Sequence, residues 1–103
     1  MTNNQLTSDD VLEFIKNNKK YLFDKYNLEK VGVFGSFAKN QQKPDSDIDL
    51  VIELKKNTKN IFEIKTELKK YFKIHFNRNI EIAREKYLKP RIKKEILKEV
   101  LYV

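Results

Sequence analysis

The sequence predicts an α/β protein of the α+β kind: a small mixed sheet of three to four strands flanked by helices. Three observations predict it. Short apolar runs rich in β-branched residues stand at 31–34, 47–54 and 79–83, as buried strands require. Before and between them, apolar residues recur at helical spacing while lysine, glutamate and asparagine fill the remaining positions. With 103 residues the chain supports one modest core and not two, so 1–103 reads as a single domain.

The elements follow in order. Thr7-Ser8-Asp9-Asp10 supplies capping side chains and negative charge for the positive end of a helix. Val11, Leu12, Ile15, Leu22, Phe23 and Tyr26 then recur at near-helical spacing, predicting one helix that covers the sheet and ends near Asn27. Residues 31–34 form the first strand, and Gly35 allows a sharp turn after it. Ser36 suits an N-cap, with Phe37-Ala38-Lys39 as the first turn of a helix. The polar stretch 40–46, which holds Pro44, is expected to be a mobile loop.

After the second strand (47–54) and a polar connection at 55–59, Ile61, Ile64, Leu68, Tyr71 and Phe72 mark another amphipathic helix. The lone histidine, His75, sits between Ile74 and Phe76 and is read as a packing or surface residue without a catalytic role. In the third strand Ile80 and Ile82 face one way and Glu81 the other. A turn at 86–89 leads to a last helix with Pro90 at its first position and an apolar stripe of Ile92, Ile96, Leu97 and Val100. Leu101-Tyr102-Val103 is apolar enough to add a short strand or to meet a partner.

The chemistry concentrates between Lys30 and Leu54. A glycine turn followed by a helix start aims several backbone N–H groups at one point, which attracts phosphate. Ser36 adds a hydroxyl there and Lys39 a positive charge. In the second strand Asp47, Asp49, Val51 and Glu53 share one face, whereas Ile48, Leu50, Ile52 and Leu54 share the core face. Two neighbouring carboxylates repel each other, and a cation between them relieves the repulsion. Magnesium suits such a place, because it takes a few carboxylates together with substrate phosphates and water. Should the third strand lie beside the second, Glu81 joins the pair.

Gly35-Ser36-Phe37-Ala38-Lys39 followed by Ser46-Asp47-Ile48-Asp49-Leu50 resembles the signature of the DNA polymerase beta nucleotidyltransferase superfamily, and the short chain resembles its minimal nucleotidyltransferases. These are antitoxin-type partners of HEPN-domain proteins. The resemblance implies a polymerase-beta-like fold and magnesium-dependent transfer of AMP from ATP to a hydroxyl, with pyrophosphate released. It implies two magnesium ions on Asp47 and Asp49, with Glu81 holding the ion nearer the acceptor and assisting its deprotonation. Gly35, Ser36 and Lys39 would bind the triphosphate. The acceptor it implies is a tyrosine of a HEPN-type helical toxin. Three positions depart from the family pattern: Lys39 and Asn40 stand where Arg and Gly are usual, and Glu81 where Asp is usual. They leave open a second reading, a catalytically weak nucleotide-binding module that neutralises its partner by complex formation.

Composition narrows the setting. The chain has no cysteine, which excludes disulfides and thiolate metal sites and fits the cytoplasm. It shows no signal-peptide pattern and no apolar run of membrane-spanning length, so no membrane role is expected. The net charge of +7 is compatible with an acidic partner or nucleic acid. However, the lysines alternate with glutamate along several helices, as solvated faces do. Nucleic-acid binding ranks last, because no groove-reading or aromatic-rich motif accompanies the charge.

Overall fold

The computed structural model describes residues 6–103. Two helices, α1 (Ser8–Asn17) and α2 (Lys19–Tyr26), lead into a hairpin of β1 (Leu28–Phe34) and β2 (Ile48–Leu54). The long helix α3 (Ile61–Phe76) crosses to β3 (Ile80–Arg84), and a single 3₁₀ turn (Glu85–Tyr87) leads to α4 (Pro90–Leu97) and β4 (Leu101–Tyr102). The sheet runs β3-β2-β1-β4, with β1 antiparallel to both β2 and β4 and β2 parallel to β3. This is the mixed four-stranded sheet flanked by helices that the sequence predicts. Among the described residues, no helix is long and apolar enough to cross a membrane.

The helix at Thr7 starts as its sequence directs. The Thr7 hydroxyl accepts from Asp10 N–H at 3.2 Å, and the Asp10 carboxylate accepts from Thr7 N–H at 2.9 Å, closing a capping box. The expected single helix to Asn27 is two helices. Asn18 breaks it by turning its side-chain amide onto the Phe14 carbonyl at 2.8 Å, a local bond that competes with the helical ladder. The kink lets Val11, Ile15 and Leu22 all reach the core.

That core lies on the face of the sheet carrying Val31, Val33, Ile48, Leu50 and Ile52, covered by α1 and α2 and by Leu68 and Phe72 of α3. Phe14 of α1 meets the same helix through aromatic contacts, including a stacked pair with His75 at 3.9 Å between ring centroids. His75 is therefore a packing residue. On the other face Val51 is fully buried, outside this core cluster, and lies beside Gly32 of β1. Gly32 in turn sits under Tyr102 and Val100: a Cβ there would meet their side chains at 2.8–2.9 Å.

Two expectations need correction. The strand β1 begins at Leu28, three residues before the apolar run at 31–34, because Leu28 pairs with Leu54 across the hairpin. No helix follows Gly35; residues 35–40 form a succession of turns, and the Ser36 side chain caps nothing. The last helix starts at Pro90 as expected; in it Ile96 is buried, while Ile92 and Leu97 stay exposed. With only two glycines, the chain reaches left-handed backbone through asparagine: Asn27, Asn40, Asn57, Asn60 and Asn77 all have φ between 54° and 62°.

Candidate active site

The hairpin and the crossover bring one strip of side chains together on the sheet face away from the main core. Asp49 pairs with Phe34 of β1 on one side and with Glu81 of β3 on the other. Asp47, one residue ahead of β2, is exposed, as is Glu81. Gly35 turns the chain at φ 74°, in the left-handed region, and places its Cα directly against the Asp49 carboxylate. A Cβ at that position would overlap Asp49 Oδ2 and lie 3.1 Å from its Cγ. No side chain fits there, so glycine is required both by the turn and by the carboxylate.

This packing has an electrostatic result. Burial pushes the Asp49 carboxyl from its ordinary 3.8 up to about 6, and the negative charges of Asp47 and Glu81 add to the shift. The three acids therefore sense one another. Among the described residues, they do not converge into a ready-made cage of three ligands for an ion. A magnesium site needs less than that: one or two carboxylates, with substrate phosphates and water completing the octahedron. The donor set is all oxygen and carries unrelieved like charge, so it fits a hard divalent cation.

On the far side of Gly35, the turn's hydrogen bonds begin with Lys39 N–H to the Gly35 carbonyl (3.1 Å), Asn40 N–H to Phe37 (3.2 Å) and Gln41 N–H to Ser36 (2.8 Å). That leaves the N–H groups of Ser36, Phe37 and Ala38 unused by the turn. Although no helix follows, this single turn presents amides as a helix start does. The partly buried Ser36 hydroxyl forms no hydrogen bond with the described residues. Lys39 is exposed and paired with Glu99 at 3.6 Å, so its ammonium is drawn toward the segment before β4.

Arg78 is the residue the sequence reading missed. From the connection between α3 and β3 its guanidinium donates to the carbonyls of Lys43 (3.2 Å) and Ser46 (3.0 Å), and it lies 5.4 Å from the centroid of the buried Phe37 ring. It thus clamps the segment that delivers Asp47. The Ser46 hydroxyl accepts from Lys43 N–H at 2.7 Å, and Gln42 Nε2 donates to the Leu6 carbonyl at 3.3 Å. The stretch expected to be mobile is fastened at several points. No local pattern announces Arg78, because its acceptors lie more than thirty positions earlier in the chain.

At the opposite end of β2, Glu53 shares the face of Asp49 but not its chemistry. Burial would raise its carboxyl, yet hydrogen bonds from Arg84 and from the Leu54 and Lys86 N–H groups outweigh that and hold it below the ordinary value. Glu53 is a structural anion, whereas Asp49 is an acid whose charge is disfavoured by burial first and by Asp47 and Glu81 second.

Comparison with known proteins bears on the family and the fold. The family described as polymerase beta, nucleotidyltransferase matches residues 16–103. A Methanocaldococcus jannaschii protein that carries the provisional name of a protein adenylyltransferase is 31% identical over 98 residues, covering 94% of this chain and 98% of the relative. Protein adenylyltransferase MntA of Thermococcus cleftensis is 29% identical over 98 residues, covering 95% and 97%. Among solved structures, one provisionally described as a minimal nucleotidyltransferase superposes with a TM-score of 0.76 at 22% identity, covering 96% of this chain and 98% of that one. A toxin–antitoxin structure with AMP-PNP gives 0.66 at 17% identity, covering 84% and 70%. The complex of a tri-AMPylated Shewanella oneidensis HEPN toxin with its MNT antitoxin gives 0.59 at 14% identity, covering 87% and 69%. At these identities the structures bear on fold alone. The chain belongs to the polymerase beta nucleotidyltransferase family.

Proposed function

We propose that this protein transfers AMP from ATP to a tyrosine hydroxyl of a HEPN-type helical toxin, and so acts as a cytoplasmic antitoxin. The observation that carries the reading is the adjacency of Gly35, Asp49 and Glu81. A phosphate-attracting turn touches one carboxylate, and a second carboxylate stands opposite it on the next strand. The names of the Thermococcus relative and of the Shewanella complex support a protein acceptor.

In this reading the free N–H groups after Gly35, together with the Ser36 hydroxyl, receive the β- and γ-phosphates. Lys39 adds charge from the rim once it leaves Glu99. Asp47 and Asp49 would hold magnesium, two ions in the full site, with Glu81 as a further ligand on the acceptor side. Bound there, magnesium would neutralise charge on the attacking and the leaving oxygen. The acceptor oxygen forms a bond to the α-phosphorus, the bond from that phosphorus to the β-bridging oxygen breaks, and pyrophosphate departs with the electron pair. Glu81, exposed on the neighbouring strand, receives the hydroxyl proton.

A second reading keeps the fold and drops the turnover. Its support is that Lys39 is occupied by Glu99 and that the three acids are not drawn into a cage. The test is incubation with magnesium, α-labelled ATP and a HEPN-type helical protein, followed by mass spectrometry of that protein. Label on a tyrosine that disappears with Asp49→Asn supports transfer. A tight complex that inhibits the toxin equally well with Asp49→Asn, without label, supports the binding module.

A further inference from the structure

The far end of the same sheet face carries a groove of about 910 Å³ around Glu53, Arg84 and the 3₁₀ turn. Five lysines line it: Lys30, Lys55, Lys56, Lys86 and Lys93. Its carboxylates are largely occupied. Glu53 is bound by Arg84 at 2.8 Å and by Lys86 N–H at 2.9 Å, and Glu85 is paired with Lys30 at 3.2 Å. Among the described residues, Lys55, Lys56, Lys86 and Lys93 have no carboxylate partner, and of the lining acids only the exposed Glu29 is left to oppose them. The groove therefore carries a surplus of positive charge that the protein's own carboxylates do not answer.

A large aromatic side chain lies in this basic lining: Tyr87 is 69% exposed. An exposed aromatic within a charged rim is the anatomy of a protein interface. A nucleic-acid strand would instead need a free aromatic platform. The Tyr87 ring already carries the Arg84 guanidinium at 4.8 Å and the Lys86 ammonium at 5.8 Å. Position adds a further argument. Glu53 lies four residues along β2 from Asp49 on the same face, about 13 Å at the rise of a strand. A partner seated on the groove is thus one short helix away from the carboxylates.

We propose that this groove is the docking surface for the acceptor protein, and that it takes an acidic amphipathic segment of that protein. The segment's apolar side chains pack along the exposed edge of Tyr87 while its carboxylates answer the four lysines that have no carboxylate partner. The proposal rests on the reading that the acceptor is a protein, and it supplies what that reading lacks, a place where the acceptor is held.

The test uses the full chain and the charge reversal Lys56→Glu/Lys86→Glu, both exposed and both outside the candidate active site. Three fluorescent probes are titrated: an amphipathic helical peptide of Glu and Leu, the same peptide with Lys for Glu, and a single-stranded oligoadenylate hexamer. The acidic peptide is expected to bind, to weaken steeply with salt, and to lose about tenfold in affinity with the double reversal. The basic peptide and the hexamer are expected not to respond to the reversal. An acidic peptide that fails to bind, or that binds both proteins equally, overturns the proposal. So does a hexamer that binds more tightly and is released by the reversal. In the labelling assay the reversal should raise KM for the acceptor and leave kcat within about twofold, and an unchanged KM overturns the proposal while leaving the transfer reaction standing. Absence of any labelled acceptor overturns the proposed reaction instead, and the peptide titration still reads the groove.

Discussion

Replacing Asp49 with asparagine should make the protein more stable, although it removes a residue at the centre of the candidate site. Asn keeps the shape under Gly35 and discards the charge that Asp47 and Glu81 oppose. In the folded chain the Asp49 proton leaves near pH 6 rather than near the ordinary 3.8, through burial first and its two acidic neighbours second. Taken whole, that gap corresponds to about 3 kcal/mol at 1.36 kcal/mol per pKa unit. Water reaches this half-buried carboxylate, so about 1–2 kcal/mol is the fair expectation after screening. The direction follows from linkage. Between about pH 4 and pH 6 the folded chain holds a proton that the unfolded chain has released, so this residue's contribution to stability falls as pH rises through that window. Glu53, held below its ordinary value, pulls the opposite way, so the quantity to read is the difference between wild type and Asp49→Asn. Urea denaturation at steps from pH 3.5 to 8 should give a difference near zero at the acid end. Above pH 6 it should reach a plateau of about 1–2 kcal/mol in the variant's favour, or several degrees in Tm for a domain of this size. Magnesium with a non-hydrolysable ATP analogue should stabilise wild type and leave the variant nearly unmoved. A variant less stable than wild type at neutral pH, or a difference that is flat across pH 4–6, would refute the account of Asp49 as an acid whose charge is disfavoured.

Two further outcomes test the frame around it. Gly35→Ala forces a Cβ into left-handed backbone and onto the Asp49 carboxylate, so it should cost at least about 1–2 kcal/mol in a thermal melt and abolish labelling from α-labelled ATP; full transfer by this variant would mean that the Gly35–Asp49 contact is dispensable. Arg78→Ala removes two charge-assisted hydrogen bonds to the segment ahead of Asp47 and should cost about 1–3 kcal/mol, with faster amide exchange at Ser46 and Ile48, whereas Arg78→Lys should recover part of both; exchange rates unchanged in the alanine variant would refute the clamp.

Most of what the sequence revealed came from alternation. A strand fixes which side chains share a face, so Asp49 and Glu81 were assigned to the polar face from Ile48, Leu50, Ile80 and Ile82 alone. Their direct opposition is a matter of register, which the parallel pairing of β2 and β3 decides and no local pattern encodes. The break at Asn18 was hidden because Val11, Ile15, Leu22 and Tyr26 look periodic through it; the interruption comes from one side-chain amide and one carbonyl. Phe37 was read as part of a helical turn, yet it is fully buried as the plug beneath the loop. The α4 helix is where its periodicity predicts it, but periodicity does not report whether the partner of an apolar side lies within the same chain. Arg78 could not be read from sequence at all, because its bonds are to backbone carbonyls, and every residue has one.

The five asparagines in left-handed backbone bear on how the protein ages. Asn27 and Asn77 close the C-terminal ends of α2 and α3, and Asn27 also donates its side-chain amide to the Thr58 hydroxyl at 2.9 Å. Asparagine is thermolabile where glycine is not, and its hydrolysis to aspartate places a negative charge where the helix dipole is already negative. At Asn27 the same reaction turns a donor into an acceptor and takes away the hydrogen bond that ties α2 to the connection after β2. Prolonged storage or heating should therefore fray these helix ends before it touches the Asp49 strip, so old preparations would lose cooperativity of unfolding.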